Sequence, residues 1–423
     1  MLRFYKNLSY VLFPVFIILI YLRSVFNKED KKRYKEKIFP WHFKANKNKN
    51  KKLIWFHAAS IGECLSILPI INAINGANKN VEFLLTSVTL SSAKLLEKRL
   101  NQYTNTVHRF FPLDVEILAE SFLTVWKPDL VCFVDSEIWP NFLFKIKEKK
   151  IPLFLINARI TKKSFNKWKT ILRFAKNVFH NFDLCLAASE ESKNNLIKLG
   201  VQNLKYIGNL KYSAKNITDE LEGSNKKNLD HFKTWCATST HNGEELIILK
   251  THLEIKKKFD NILTIIIPRH VERSSYIKNL SNKFNLNSQI LNDGDLMDAN
   301  AEILIINSFG ILSKYFNYCK NIFIGKSFIK KLENSGGQNP IEAAKLGCQI
   351  FHGPYVYNFQ EIYELLRLHG VAERVNNEQE LAKKIIQNFE SSKIKNQKQI
   401  NLLNNYGEKI LKETVLEFSG YLK

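Results

Sequence analysis

Ten short apolar runs without polar alternation, separated by longer stretches of helical spacing, constrain the fold of this chain more than any other feature. Residues 53–58, 81–88, 130–135, 151–157 and 184–188 make a first series, and 234–239, 262–268, 303–306, 321–324 and 348–351 a second. A strand with one wet face alternates polar and apolar residues, whereas a strand buried on both faces does not. With helical spacing at 61–75, 115–126, 139–150 and 190–199 between runs of the first series, the pattern predicts parallel sheets covered by helices on both faces.

The two series are parted by a polar stretch over 213–230 that has the composition of a linker. A length of 423 residues also exceeds one ordinary core, and 45% hydrophobic content suffices for two. The expected fold class is therefore α/β, with two doubly wound Rossmann-like domains and an interdomain cleft, over 53–212 and 231–400. A C-terminal helix is expected over 401–423.

The N-terminus is of another kind. Residues 10–22 are apolar almost throughout, carry Pro14 and are followed by Arg23. Thirteen residues fall short of the ~20 that cross a bilayer as a helix. Residues 28–52 then hold 11 Lys/Arg against 3 Asp/Glu, a local excess of +8. A cleaved signal peptide has its charge before the apolar run, not after it. The expectation is a retained membrane anchor over 1–27 with a basic juxtamembrane segment over 28–52, drawn to anionic lipid. A buried first helix is the competing reading. The formal net charge of +23 favours an anionic partner without choosing among nucleic acid, lipid and phosphorylated substrate. Six cysteines stand singly, with no close CxxC pair, which argues against structural zinc and a disulfide framework and for a reducing compartment.

In open α/β sheets, ligands sit beyond the carboxyl ends of strands, and the polar residues of note fall there. Glu63 follows Ser60 and Gly62 in the first turn of a helix, placed either to complement the helix dipole or to act as a general base. Asp135-Ser136-Glu137 closes another run, as N-cap charges or as a carboxylate pair beside a reacting centre. Asn157-Ala158-Arg159 and Gly208-Asn209-Leu210-Lys211 add an amide, a guanidinium and an ammonium. In the second series the corresponding segments are Ala237-Thr238-Ser239-Thr240-His241, Pro268-Arg269-His270 and Ser335-Gly336-Gly337-Gln338-Asn339-Pro340-Ile341-Glu342. Hydroxyls, backbone amides and an arginine at such ends suit an anionic nucleotide. No GxxxxGK[ST] loop and no spaced His/Cys metal set is present.

Taken in order, these segments resemble the Kdo (3-deoxy-manno-octulosonic acid) transferase family across nearly the whole chain. They are His57-Ala58-Ala59-Ser60-Ile61-Gly62-Glu63, Glu137-Ile138-Trp139-Pro140-Asn141, Asn157-Ala158-Arg159, Gly208-Asn209-Leu210-Lys211 and the three of the second series. The resemblance implies a GT-B glycosyltransferase with no metal or other cofactor. Its donor would be CMP-Kdo and its acceptor the tetraacylated lipid A precursor (lipid IVA), at the cytoplasmic face of a bacterial inner membrane. It implies that Glu63 is the catalytic base, with Asp135, Glu137 and Lys211 at the reacting centre. It implies CMP binding by Pro268, Arg269, Phe309, Gly310, Ile311, Asn339, Pro340, Ile341 and Glu342. The chain departs from the family at Asp135, where glutamate is usual, and at Ile311, where an acid is usual. The loop from Lys326 to Gly336 is longer than usual and has a lysine where glycine is common.

Two rival readings share much of this pattern. A transferase or epimerase acting on a UDP-sugar would have the same sheets. A non-catalytic basic protein binding membrane or nucleic acid would show stripes of charge with interleaved aromatics. Here the densest basic block instead adjoins the apolar segment, and the expected partners include no nucleic acid.

Overall fold

The computed structural model describes residues 1–42, 48, 50–214, 224–308, 312–391 and 397–421. The chain forms two compact units, Met1–Lys215 with Tyr406–Lys423, and Asn216–Asn405.

The first unit is built on seven parallel strands in the order β3-β2-β1-β4-β5-β6-β7. These are β1 (Lys52–His57), β2 (Val81–Ser87), β3 (Thr106–Phe110), β4 (Leu130–Val134), β5 (Leu153–Ala158), β6 (Leu184–Ala187) and β7 (Leu204–Tyr206). The central strands β1, β4 and β5 are wholly buried apart from Lys52, as unbroken apolar runs require. Trp55 sits at the centre of an aromatic core, with Phe122 at 4.8 Å, Phe133 at 5.7 Å and Phe142 at 5.8 Å between ring centroids. Chain order reverses between β1 and β4, so the crevice beyond the carboxyl ends of those two strands is the switch point of this sheet.

Helix α1 (Leu2–Val25) is longer than the apolar run that announced it and carries Pro14 within it. It lies on this unit, with Leu2 and Tyr5 packed against the core. The basic stretch after it is also folded here in part. Lys37 Nζ lies 2.6 Å from Glu29, and Arg33 pairs with Glu36 at 2.8 Å. At the other end of the chain, Phe418 packs on Phe56 and Phe154, with centroids at 6.0 and 5.6 Å.

The second unit has seven parallel strands in the order β10-β11-β9-β8-β12-β13-β14. They are β8 (Lys233–Thr240), β9 (Ile262–Pro268), β10 (Ser288–Leu291), β11 (Ile303–Ile306), β12 (Asn321–Ile324), β13 (Gln349–His352) and β14 (Ala372–Arg374). Its switch point lies between β8 and β12. Much of the linker expected over 213–230 lies outside the described residues. Its last part is a helix, Ser224–Asp230, rather than an open connection.

Candidate active site

Helix α2 (Ile61–Ala77) begins at the carboxyl end of β1, and Ser60 caps it. The Ser60 hydroxyl accepts from the Glu63 amide at 3.4 Å and donates to Glu63 Oε1 at 2.7 Å, while Glu63 Oε2 accepts from the Ala59 amide at 2.8 Å. This is a capping box, so the helix-start reading of Glu63 holds in the geometry. The electrostatics add a second property. Burial, and then the nearby Asp135 carboxylate, push the Glu63 carboxyl up to about 7, with Glu137 adding to the rise and Lys211 opposing it.

Asp135 follows β4 across the switch point in a left-handed conformation, φ +56°. A non-glycine residue there is strained, and such strain collects at functional sites. The Asp135 carboxylate is buried and held from two sides. Lys211 Nζ lies 2.9 Å from Oδ2, and the Asn157 amide donates to Oδ1. Asn157 is itself left-handed at φ +52°, where the register of β5 and β6 shifts. Its Oδ1 accepts from the Leu210 amide at 2.8 Å, which fixes the short helical turn Leu210–Tyr212 that carries Lys211. Lys211 also reaches the first turn of α2: its Cε is 3.8 Å from where a side chain on Gly62 would begin.

Glu137 completes the group. Its Oε2 accepts from Trp139 Nε1 at 2.8 Å and lies 3.3 Å from His57 Nε2. His57, fully buried, is 3.0 Å from the Thr86 hydroxyl through Nδ1 and stacks on Phe111 at 3.9 Å. Glu63, Asp135, Glu137 and Lys211, all expected at the reacting centre, are thus gathered on one unit. His57 and Trp139 hold Glu137, Asn157 holds Asp135 and the turn that carries Lys211, and Ser60 holds Glu63. No role was assigned to His57 from sequence, although a histidine closing an otherwise apolar strand was the signal for it.

In the second unit, Glu244 bridges the switch point. Its Oε2 accepts from the amides of His241 at 2.9 Å and Lys326 at 2.7 Å, and its Oε1 from those of Ser327 at 2.8 Å and Phe328 at 3.0 Å. Burial raises its carboxyl above the ordinary range, against the pull of those four donors. Gly325 fits under this clamp because a side chain there would begin 2.7 Å from Ser239 O. Ser239 and Lys326 are left-handed, φ +56° and +59°, at the ends of neighbouring strands. The Gly337 amide donates to Lys326 O at 2.7 Å, which draws the loop before Asn339 to the same strand end.

Arg269 follows β9, its amide bound to Thr240 O at 3.1 Å, with an exposed side chain. Asn339 Oδ1 accepts from the Ile341 amide at 3.1 Å, and Pro340 is buried before the short helix Ile341–Lys345. Glu342 on that helix is half-buried and makes no hydrogen bond or ion pair among the described residues, and burial pushes its carboxyl up to about 7. Phe309, Gly310 and Ile311 lie outside the described residues.

Two doubly wound parallel sheets, each with polar groups gathered at its switch point, define a GT-B-like α/β architecture. It is found in UDP-GlcNAc 2-epimerase from Methanocaldococcus jannaschii, which is 19% identical with a TM-score of 0.58 over 86% of this chain and 99% of that one. That likeness establishes fold alone. The sequence profile of the 3-deoxy-D-manno-octulosonic-acid transferase (kdotransferase) family matches residues 32–214. The 3-deoxy-D-manno-octulosonic acid transferase of Rickettsia bellii is 33% identical over 84% of this chain and 82% of its own length. That of Rickettsia prowazekii is 30% identical over 90% of each. The chain belongs to the 3-deoxy-D-manno-octulosonic acid transferase family and is a glycosyltransferase.

Proposed function

We propose that this enzyme transfers Kdo from CMP-Kdo to the lipid A precursor, lipid IVA, in one inverting displacement that uses no metal. An acceptor hydroxyl oxygen attacks the anomeric carbon of Kdo from the face opposite the leaving group. The bond from that carbon to the CMP phosphate oxygen breaks, and its electron pair leaves with CMP. The hydroxyl proton passes to Glu63. Lys211, held by Asp135, supplies positive charge beside the reacting centre, with Glu137 next to that pair.

The observation that carries this reading is the grouping of Glu63 with the Asp135–Lys211 pair beyond the carboxyl ends of β1 and β4, in a chain of this family. A carboxyl raised to about 7 is matched to proton transfer near neutral pH, where an ordinary glutamate is a weak base. In the second unit we assign CMP to Pro268, Arg269, Asn339, Pro340, Ile341 and Glu342, together with Phe309, Gly310 and Ile311. The Glu342 carboxylate, unpartnered among the described residues, suits two ribose hydroxyls, and the exposed Arg269 suits a phosphate. We place the enzyme at the cytoplasmic face of the inner membrane, where the nucleotide donor and the lipid acceptor meet.

The test is product formation from CMP-Kdo, generated in situ, and tetraacylated lipid A precursor, comparing wild type with Glu63→Gln. Transfer by wild type and a loss of roughly 10²–10⁴-fold in a variant that still binds CMP is the expected result. Failure of wild type to transfer, with binding of a UDP-sugar instead, overturns the donor assignment. Normal transfer by the variant leaves Glu63 as a helix cap only.

A further inference from the structure

Helix α1 has 24 residues and is apolar over most of its length. At ~1.5 Å per residue it is about 36 Å long, enough for the ~30 Å core of a bilayer. Length therefore permits it to cross. Its contacts place it otherwise.

Leu2, Tyr5, Ser9, Phe13, Ile17, Ile20 and Ser24 recur every three or four residues and, with Lys6, are the shielded positions, from the first turns to the last. Phe4, Leu8, Val11, Val15, Ile18 and Leu22 lie on the opposite arc at about 3.6 residues per turn and are exposed, Phe4 by 70% and Val11 by 73%. One stripe of the helix thus rests on protein along its whole length, and the apolar remainder is left exposed among the described residues.

Both ends are fastened to the same unit. Tyr5 donates its hydroxyl to Asp114 at 2.8 Å, Lys6 pairs with Glu116 at 2.6 Å, and the Asn141 amide reaches Ser9 Oγ at 3.2 Å. Asp114 is also bonded to the amides of Asn141 and Phe142, which begin the helix Pro140–Glu148. At the far end Arg23 pairs with Glu29 at 2.9 Å. Glu29 holds Lys37, whose Nζ donates to Val88 O at 2.9 Å beside β2.

We propose that α1 lies flat in an anionic lipid interface, with both ends on the same side as the globular unit, and does not cross the bilayer. The charges around it select lipid over a second copy of the chain. Arg3 at one end and Lys28, Lys31, Lys32 and Lys35 at the other are exposed. Two such faces brought together repel, whereas anionic headgroups complement them. Phe39 and Trp41, both exposed and edge-on at 5.5 Å, stand beside the lysines as interfacial aromatics do.

Labelling of single added cysteines with a membrane-impermeant maleimide in sealed, oriented vesicles tests this. All six native cysteines are buried. Arg3→Cys, Lys28→Cys and Lys163→Cys, the last on the globular unit, should react from one and the same side. Reaction of Arg3→Cys from the side opposite Lys163→Cys overturns the proposal. A second arm uses flotation of the full chain with phosphatidylglycerol-containing or purely zwitterionic vesicles. Binding should favour the anionic vesicles by about tenfold or more and be lost in Val11→Glu/Ile18→Glu, which alters only the exposed arc. If that variant instead splits a lipid-free dimer into monomers and binds vesicles as before, the face joins two copies and the proposal fails.

Discussion

Lys211 Nζ sits 2.9 Å from Asp135 Oδ2, with the two side chains only 13% and 7% exposed. The Asn157 amide holds the other oxygen, so Asp135 has no free rotamer with which to compensate for a lost partner. Removing one member of such a pair leaves an unpaired buried charge, at a cost of about 3–5 kcal/mol, whereas removing both costs far less. Lys211→Met is therefore expected to lower unfolding free energy by about 3 kcal/mol. Adding Asp135→Asn should recover most of that loss without restoring transfer. Urea unfolding of the four members of the cycle measures the coupling.

Glu63 sets a pH signature on stability and on rate. Its carboxyl is raised from 4.5 to about 7 in the folded state, so between those values the native chain holds more proton than the unfolded chain. Stability then falls as pH rises through that window, since the slope follows protons bound unfolded minus protons bound folded. Glu63→Gln should flatten the slope between pH 4.5 and 7 in thermal melts. The transfer rate needs the ionised base and should rise over the same range, with an apparent midpoint near 7 that belongs to the coupled carboxylates together. A wild-type rate independent of pH across that range contradicts the assignment of the base.

All ten strands expected from the apolar runs are present, with ends shifted by at most a few residues, and the four that the pattern did not reveal are β3, β7, β10 and β14. These are the outermost strands of the two sheets. An edge strand is covered less completely, so polar residues interrupt it, as Thr106, His108 and the half-exposed Arg109 do in β3 and the exposed Lys205 and Tyr206 do in β7. The apolar signal fades there for a physical reason. The site was legible because strand ends concentrate the polar residues of an otherwise apolar sheet, which singled out Glu63, Asp135 and Lys211. What sequence did not reveal is which polar groups hold others in place. Glu244 and Glu245 stand in the first turn of the helix Glu244–Lys256, where an acid ordinarily does no more than complement the helix dipole. In the fold Glu244 binds four amides, and Glu245 pairs with Arg273 at 2.6 Å. Asp114 carried no signal at all, although it joins α1 to the start of the helix Pro140–Glu148.

Glu244→Gln tests that difference. An amide in place of the carboxylate turns one acceptor into a donor facing backbone N–H groups, so two of the four bonds become donor against donor. Each buried amide left unpaired costs about 1–3 kcal/mol. The variant should lose about 2–4 kcal/mol of stability and, by releasing the segment at Lys326, weaken CMP binding measured by calorimetry. Equal stability with unchanged CMP affinity means that the clamp does not shape the loop.

Gly407 and Gly76 provide a paired test of how the last helix supports the site. A side chain on Gly407 would begin 2.1 Å from Tyr212 O and 2.7 Å from Tyr212 C, both backbone atoms next to Lys211. Neither atom can swing aside, because the Leu210 amide is tied to Asn157 and the Tyr212 ring packs on Tyr406 at 5.1 Å. Gly407→Ala must shift either the helix or the turn that carries Lys211. It should destabilise by about 2–4 kcal/mol and reduce transfer further than its stability alone explains, even where the variant is fully folded. Gly76, inside α2, has open space around its missing side chain. Gly76→Ala should stabilise by up to about 1 kcal/mol through helix propensity and leave transfer unchanged. Opposite signs in thermal melts, with lost activity only at Gly407, locate the effect in the contact with Tyr212 rather than in glycine replacement as such.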